Sequence, residues 1–217
     1  MARKALEEGL NEIRNNTIKL GELTKEAIIK SVESLKNRDI AMAEEVMGLE
    51  EKSDIINLEI DEDTLRITAL QQPVAKDLRF ISAMIKISDN FERICDLAEK
   101  IAHITIKYKE KKFLKPLIDI PRMALVITEM IDIDLEAIEN NTSPSVDKLI
   151  EKDDLIDNLY IQIYNELISF MIRDPKKIDD ATDLLFVARH LERIGDIAAK
   201  TGAQIVYMVE GKRVWIK

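Results

Sequence analysis

The residues of this chain best suited to chemistry are two acidic pairs at helical spacing. Glu92 and Asp96 stand four positions apart, and one hundred residues later Glu192 and Asp196 repeat that spacing. On a helix, positions i and i+4 lie on one face, one turn apart, so each pair stacks two carboxylates. Like charges placed in this way weaken an isolated helix by about 0.2–0.5 kcal/mol. The same cost at two matched positions points to a bound cation. Further oxygen donors accompany each pair. Glu50 and Asp54 form another Glu-x-x-x-Asp, continued by Asn57 and Asp61, while Asp154 and Asp157 are backed by Glu151 and Asp153. Oxygen-rich sets of this kind suit iron, manganese, magnesium or calcium.

The acidic pairs belong to a longer internal repeat. Glu92-Arg93-Ile94-Cys95-Asp96-Leu97-Ala98-Glu99-Lys100 returns as Glu192-Arg193-Ile194-Gly195-Asp196-Ile197-Ala198-Ala199-Lys200. At the same offset, Glu51-Lys52-Ser53-Asp54-Ile55-Ile56-Asn57 matches Glu151-Lys152-Asp153-Asp154-Leu155-Ile156-Asp157. Two helices therefore repeat together, and a period of roughly a hundred residues fits a duplicated small domain better than a solenoid. The expected division is residues 1–110 and 111–217.

The elements that position these residues are long helices. Only 6 Gly and 5 Pro occur in 217 residues, 34% are charged, and alternating strand patterns are scarce, so the chain reads as all-α. Punctuation places six helices, as two tandem three-helix bundles. The first spans about Ala5 to Lys36 and the second, capped by Asp39, runs to about Leu70. Pro73 starts a third that ends near Tyr108, and the basic stretch Lys107 to Lys115 is the interdomain linker. Pro116 opens a fourth, to about Glu139. Ser143 caps a fifth with Pro144 at its first position, and Asp174-Pro175 precedes a sixth that Gly211 stops. The core stripe is Met84, Ile87, Phe91, Ile94, Ala98 in the third helix and Leu184, Val187, Leu191, Ile194, Ala198 in the sixth. Asp96 and Asp196 project to the polar side of that stripe, and Glu92 and Glu192 to its margin.

A net charge of −9 argues against a nucleic-acid partner. With no apolar run of membrane-spanning length and no leader, the expectation is a cytosolic protein without membrane insertion. The single cysteine, Cys95, excludes an internal disulfide. Read without any metal, the acids are a solvated face, with Asp96 pairing Lys100, Asp196 pairing Lys200 and Asp89 pairing Arg93. A ferritin-like di-iron enzyme is disfavoured, because Glu-x-x-His pairs are absent and the acids face outward. No phosphate-binding loop or nucleophile elbow is present either, so no catalytic residues are assigned. His103 and His190 read as boundary histidines, and Trp215 as a C-terminal packing anchor.

Two three-helix repeats, each with Glu-Arg-Ile-x-Asp on its last helix and an Asp early in its middle helix, resemble the PhoU family of phosphate-uptake regulators. Pro73-Val74-Ala75-Lys76-Asp77-Leu78-Arg79 is similar to the family's entry to helix three, and the resemblance covers nearly the whole chain. It implies a cytoplasmic, non-enzymatic regulator that restrains a high-affinity phosphate ABC transporter when phosphate is plentiful. The implied partners are the transporter's ATPase subunit and a phosphate-sensing histidine kinase. The resemblance also implies multinuclear metal sites, of iron, zinc or manganese, with Asp54, Glu92 and Asp96 in the first repeat and Asp154, Glu192 and Asp196 in the second as ligands. Glu50 and Asp157 are subsidiary, because their repeat mates are Ile150 and Asn57. Cys95 stands where the family usually has Gly, and reads either as a small packing residue or as a softer thiolate ligand. Arg93 and Arg193 steady the acids or meet an anion. Broad helical faces favour a homodimer. The alternative is a metal-free helical scaffold, or an accessory protein for another phosphate or ion transporter, whose acidic faces dock a partner.

Overall fold

The computed structural model describes residues 2–108 and 113–216. Its elements are α1 (Ala2–Asn37), α2 (Ile40–Gln71), α3 (Ala75–Lys107), α4 (Asp119–Asn140), α5 (Val146–Arg173), a 3-10 turn (Pro175–Lys177) and α6 (Ile178–Glu210). Among the described residues every regular element is helical. α1, α2 and α3 pack together as one bundle and α4, α5 and α6 as another, with α3 against α6 and α1 against α4 joining the two.

The helix ends follow local chemistry, with corrections to the proline-based reading. Asp39 caps α2 as expected, its carboxylate accepting the Met42 N–H at 3.1 Å. Gly211 ends α6 with φ of 75°, the left-handed region that suits glycine. Pro73 does not start α3. Val74 is the cap, and the Asp77 carboxylate accepts its N–H at 3.3 Å. Pro116 lies in the connection, and α4 begins at Asp119 with Pro121 inside its first turn, where no intrahelical N–H is needed. Ser143 is not the cap of α5. That position is Ser145, and the Ser143 hydroxyl instead lies 2.6 Å from Glu210 Oε1. Asp174-Pro175 opens the 3-10 turn that leads into α6. Of the expected basic linker, residues 109–112, and with them the 110/111 division, lie outside the described residues.

The expected core stripes of α3 and α6 are all buried, and a single apolar cluster runs through both bundles. Inside it the buried Thr24 hydroxyl donates to the carbonyls of Leu20 and Phe91, at 2.8 and 3.2 Å, which ties α1 to α3. Gly21 of α1 faces Leu135 of α4 and Phe91 of α3 so closely that a Cβ would stand 2.5 Å from Leu135 Cδ2. Lys25 then bridges α1 to Asp132 of α4 at 2.5 Å.

Asp134 is the one buried group in this core with both side-chain oxygens unpartnered among the described residues. Its repeat mate Ser34 lies 3.2 Å from Thr105 Oγ1, but the position matching Thr105 holds Ile205, so Asp134 has no such partner. Burial pushes its carboxyl well above the usual range. A group whose folded pKa is raised favours folding below its unfolded pKa and loses that contribution as pH rises towards the folded value. Relative to Asp134→Asn, the wild type is therefore expected to lose stability above pH 4 by up to about 1.4 kcal/mol per pH unit, the one-proton slope. Urea unfolding of both proteins between pH 4 and 8 checks this; parallel pH profiles would count against it.

Candidate functional site

Because α2 packs against α3, the first acidic face gathers Glu50 and Asp54 from one helix and Glu92, Asp96 and Glu99 from the other. Burial, reinforced by Asp54, Glu99, Asp96 and Glu92, raises the Glu50 carboxyl to about 7. Glu92 is raised by burial and then by Asp54, Asp96 and Asp89. Asp54, Glu92 and Asp96 are thus brought together as the sequence implied, with Glu50 as a full member and Glu99 as an addition. Asp89 does not pair with Arg93: its carboxylate instead accepts the Asn57 amide at 3.4 Å.

The second face pairs α5 with α6. Asp154, Asp157, Glu192 and Asp196 lie within one electrostatic neighbourhood. The addition here is Asp153, which is buried and raised to about 7 by burial first and then by Asp157, Asp196 and Asp154. Its repeat mate Ser53 is buried beside Cys95, so the inward position is neutral in one face and acidic in the other. Asp153 falls on the buried stripe of α5 with Leu149 and Ile156, whereas Asp154, one position on, turns outward.

Cations also distinguish the faces. Lys100 holds Asp96 at 2.6 Å and Lys200 holds Asp196 at 3.0 Å, the two i,i+4 pairs expected from the sequence. Arg189 bonds Glu192 at 2.7 Å, whereas the first repeat has Asp89 at that position. Both faces are therefore partly neutralised, the second by one more ion pair than the first. Arg93 lies close enough to Glu92 to favour its charged form. Arg193 lies beside His190, whose imidazole is pushed down by burial, Lys100 and Arg193 and is opposed by Asp96. His190 thus approaches the acids of the other repeat, a contact that its own helical position gave no reason to expect.

The donor chemistry fits a hard cation, since the carboxylates repel one another and are oxygen donors throughout. Their placement is more extended: among the described residues, no three His, Cys, Asp or Glu side chains converge in a metal-holding group. Cys95 is fully buried and its thiol is pushed up to about 12, mainly by burial, which fits the packing role and not a thiolate. At the matching Gly195, a Cβ would meet Ile156 Cδ1 at 2.7 Å. Trp215 is not an anchor: it is 86% exposed, and Ile216 is the tail residue that is buried.

Three comparisons bear on this geometry. The family model described as the PhoU domain matches twice, at residues 17–105 and 120–205. The phosphate-specific transport system accessory protein PhoU homolog of Aquifex aeolicus is 37% identical over 205 residues, covering 94% of this chain and 93% of that protein. Its namesake from Clostridium acetobutylicum is 32% identical, with 99% and 98% covered. The crystal structure of PhoU from Pseudomonas aeruginosa superposes with a TM-score of 0.88 at 27% identity, covering 95% of this chain and 99% of that one.

Glu50 is expected to titrate near pH 7 when followed by carboxyl chemical shifts. In an Asp54→Asn, Asp96→Asn background its midpoint should fall, yet stay above the ordinary glutamate value, because burial is the larger cause. An unchanged midpoint would remove the electrostatic coupling across α2 and α3.

Proposed function

The chain belongs to the PhoU family, and from that premise we propose that it is an accessory regulator of phosphate transport, restraining a high-affinity phosphate ABC transporter when phosphate is plentiful. The proposed setting is the cytoplasm, and no helix among the described residues is long and apolar enough to cross a membrane. The proposed partners are the transporter's ATPase subunit and a phosphate-sensing histidine kinase, with a homodimer as the working assembly. The relatives carry the name of accessory proteins, in keeping with a binding role in place of catalysis.

The observation that carries the metal part of this reading is the duplicated clustering of carboxylates, in which burial first and the neighbouring acids second raise Glu50 and Asp153 to about 7. Asp54, Glu92 and Asp96, and in the second repeat Asp154, Glu192 and Asp196, are the proposed ligands, with Glu50 and Asp157 beside them. Iron, zinc or manganese would supply the countercharge that Lys100 and Lys200 now supply in part. A second reading is favoured by those same lysine pairs and by the absence of a convergent donor group among the described residues. In it the faces hold no metal and dock a basic partner surface.

Elemental analysis of untagged protein prepared without chelator separates the two, comparing wild type with the Glu92→Ala, Asp96→Ala, Glu192→Ala, Asp196→Ala variant. Stoichiometric metal lost in the still-folded variant is the expected outcome; trace metal in both proteins would sink the metal reading. The regulatory reading is tested separately by phosphate uptake in cells lacking the chain. Uptake should stay high in rich phosphate and fall on re-expression, and unchanged uptake would overturn it.

A further inference from the structure

A groove of about 580 Å3 runs between α3 and α6, closed at one side by the tail that follows Gly211. That size lies within the range of small-molecule pockets. Its walls differ in character from the acidic faces. Lys86, Arg93, Lys200 and Arg213 supply four cations against two acids, Asp89 and Glu92, in a chain whose net charge is −9. Lys86 and Arg93 make no hydrogen bond or ion pair among the described residues, although Arg93 lies near Glu92. Lys200 shares its charge with Asp196, and the Arg213 guanidinium lies 5.6 Å from the Tyr207 ring centroid.

The groove is not a product of the duplication. The positions matching Lys86, Asn90, Gln204 and Tyr207 hold Phe186, His190, Ile104 and Lys107, and the tail crosses one side of the α3–α6 pair only. Burial of Ile216 holds that tail down, yet its neighbour Trp215, the only tryptophan, stays 86% exposed at the mouth of the groove. An exposed indole beside uncommitted cations is a stacking surface awaiting a planar partner. Guanidinium and ammonium groups in such a pocket select phosphoryl oxygens.

We propose that this groove binds a nucleotide, its phosphoryl groups held by Lys86, Arg93 and Arg213 and its base against Trp215 and Tyr207. The cations account for the phosphates, and the aromatic pair for a planar ring that an inorganic polyanion lacks. The groove shares Glu92 with the first acidic face and borders the second through Lys200, so binding is measured with metal removed by chelator.

The lone tryptophan reports occupancy directly. Full-length protein in chelator-containing buffer is titrated with ATP, tripolyphosphate and inorganic phosphate, following tryptophan fluorescence and heat of binding. Saturable ATP binding with a fluorescence change, and weaker tripolyphosphate binding that competes with it, is the expected result. Lys86→Ala with Arg93→Ala, both at exposed positions, should weaken ATP at least about tenfold, the loss expected for a charge-assisted hydrogen bond. Trp215→Ala, read by heat alone, should narrow the gap between ATP and tripolyphosphate. Equal affinity for ATP and tripolyphosphate in the wild type would overturn the nucleotide in favour of an inorganic polyanion. No saturation at millimolar ATP, or binding indifferent to the double variant, would overturn the site.

Discussion

The antiparallel packing of α3 on α6 is the constraint on which the rest of the molecule depends. These two helices carry the repeated motifs, and their buried stripes run into one apolar cluster shared by both bundles. Polar contacts fix the register along the seam: Arg79 Nε donates to the Met208 carbonyl at 3.1 Å, Asn90 Nδ2 to Thr201 Oγ1 at 3.0 Å, and Tyr108 Oη to the Asp180 carbonyl at 2.6 Å. The Arg79 contact places a cation at the C-terminal end of α6, where the helix dipole favours it. With α3 and α6 joined back to back, α2 and α5 can cover only their outer flanks, and it is in those two grooves that the carboxylates meet. A slip of one residue along α6 would turn its stripe and its motif through about 100° and disperse both.

The acidic faces work against folding. Burial and mutual repulsion raise Glu50, Glu92, Asp153, Asp157 and Glu192, so each contributes less to stability as pH rises from the ordinary carboxylate range towards its folded value. Asp134 adds to the same trend from inside the core. The difference is that Asp134 is sealed off, whereas Asp96 and Asp196 keep 38% and 47% of their side chains exposed and remain open to countercharge. Any cation that binds these faces stabilises the folded chain by mass action, because the unfolded chain does not gather the same donors.

Much of this architecture was legible in the sequence, because an internal repeat supplies its own alignment. The ten stripe positions of α3 and α6 follow from helical periodicity alone, and all ten are buried. The prolines misled, since a fixed φ is equally at home in the turn before a helix: Pro73, Pro116 and Pro144 all lie outside the helices they were expected to open. The environments of Asp153, named only as backing for Asp154 and Asp157, and of His190 were hidden for a different reason. Each residue acquires its environment from a neighbouring helix, and a single helix's projection says nothing of what packs upon it. Trp215 misled through composition, since a large aromatic residue reads as core although Ile216 takes that place.

Duplication explains the likeness of the two faces, and local chemistry explains why they are no longer equal. Where the second repeat has Arg189, Asp153 and Gly195, the first has Asp89, Ser53 and Cys95. The first face thus gains an outer carboxylate and loses an inner one, while the second draws Arg189 onto Glu192. A cation approaching the first face meets acids restrained mainly by Lys100; at the second it must compete with both Lys200 and Arg189. Coulomb interactions at half-exposed sites are steep functions of such near neighbours. The same fold therefore presents two faces of unequal charge balance, the second with one more cation committed to its acids than the first.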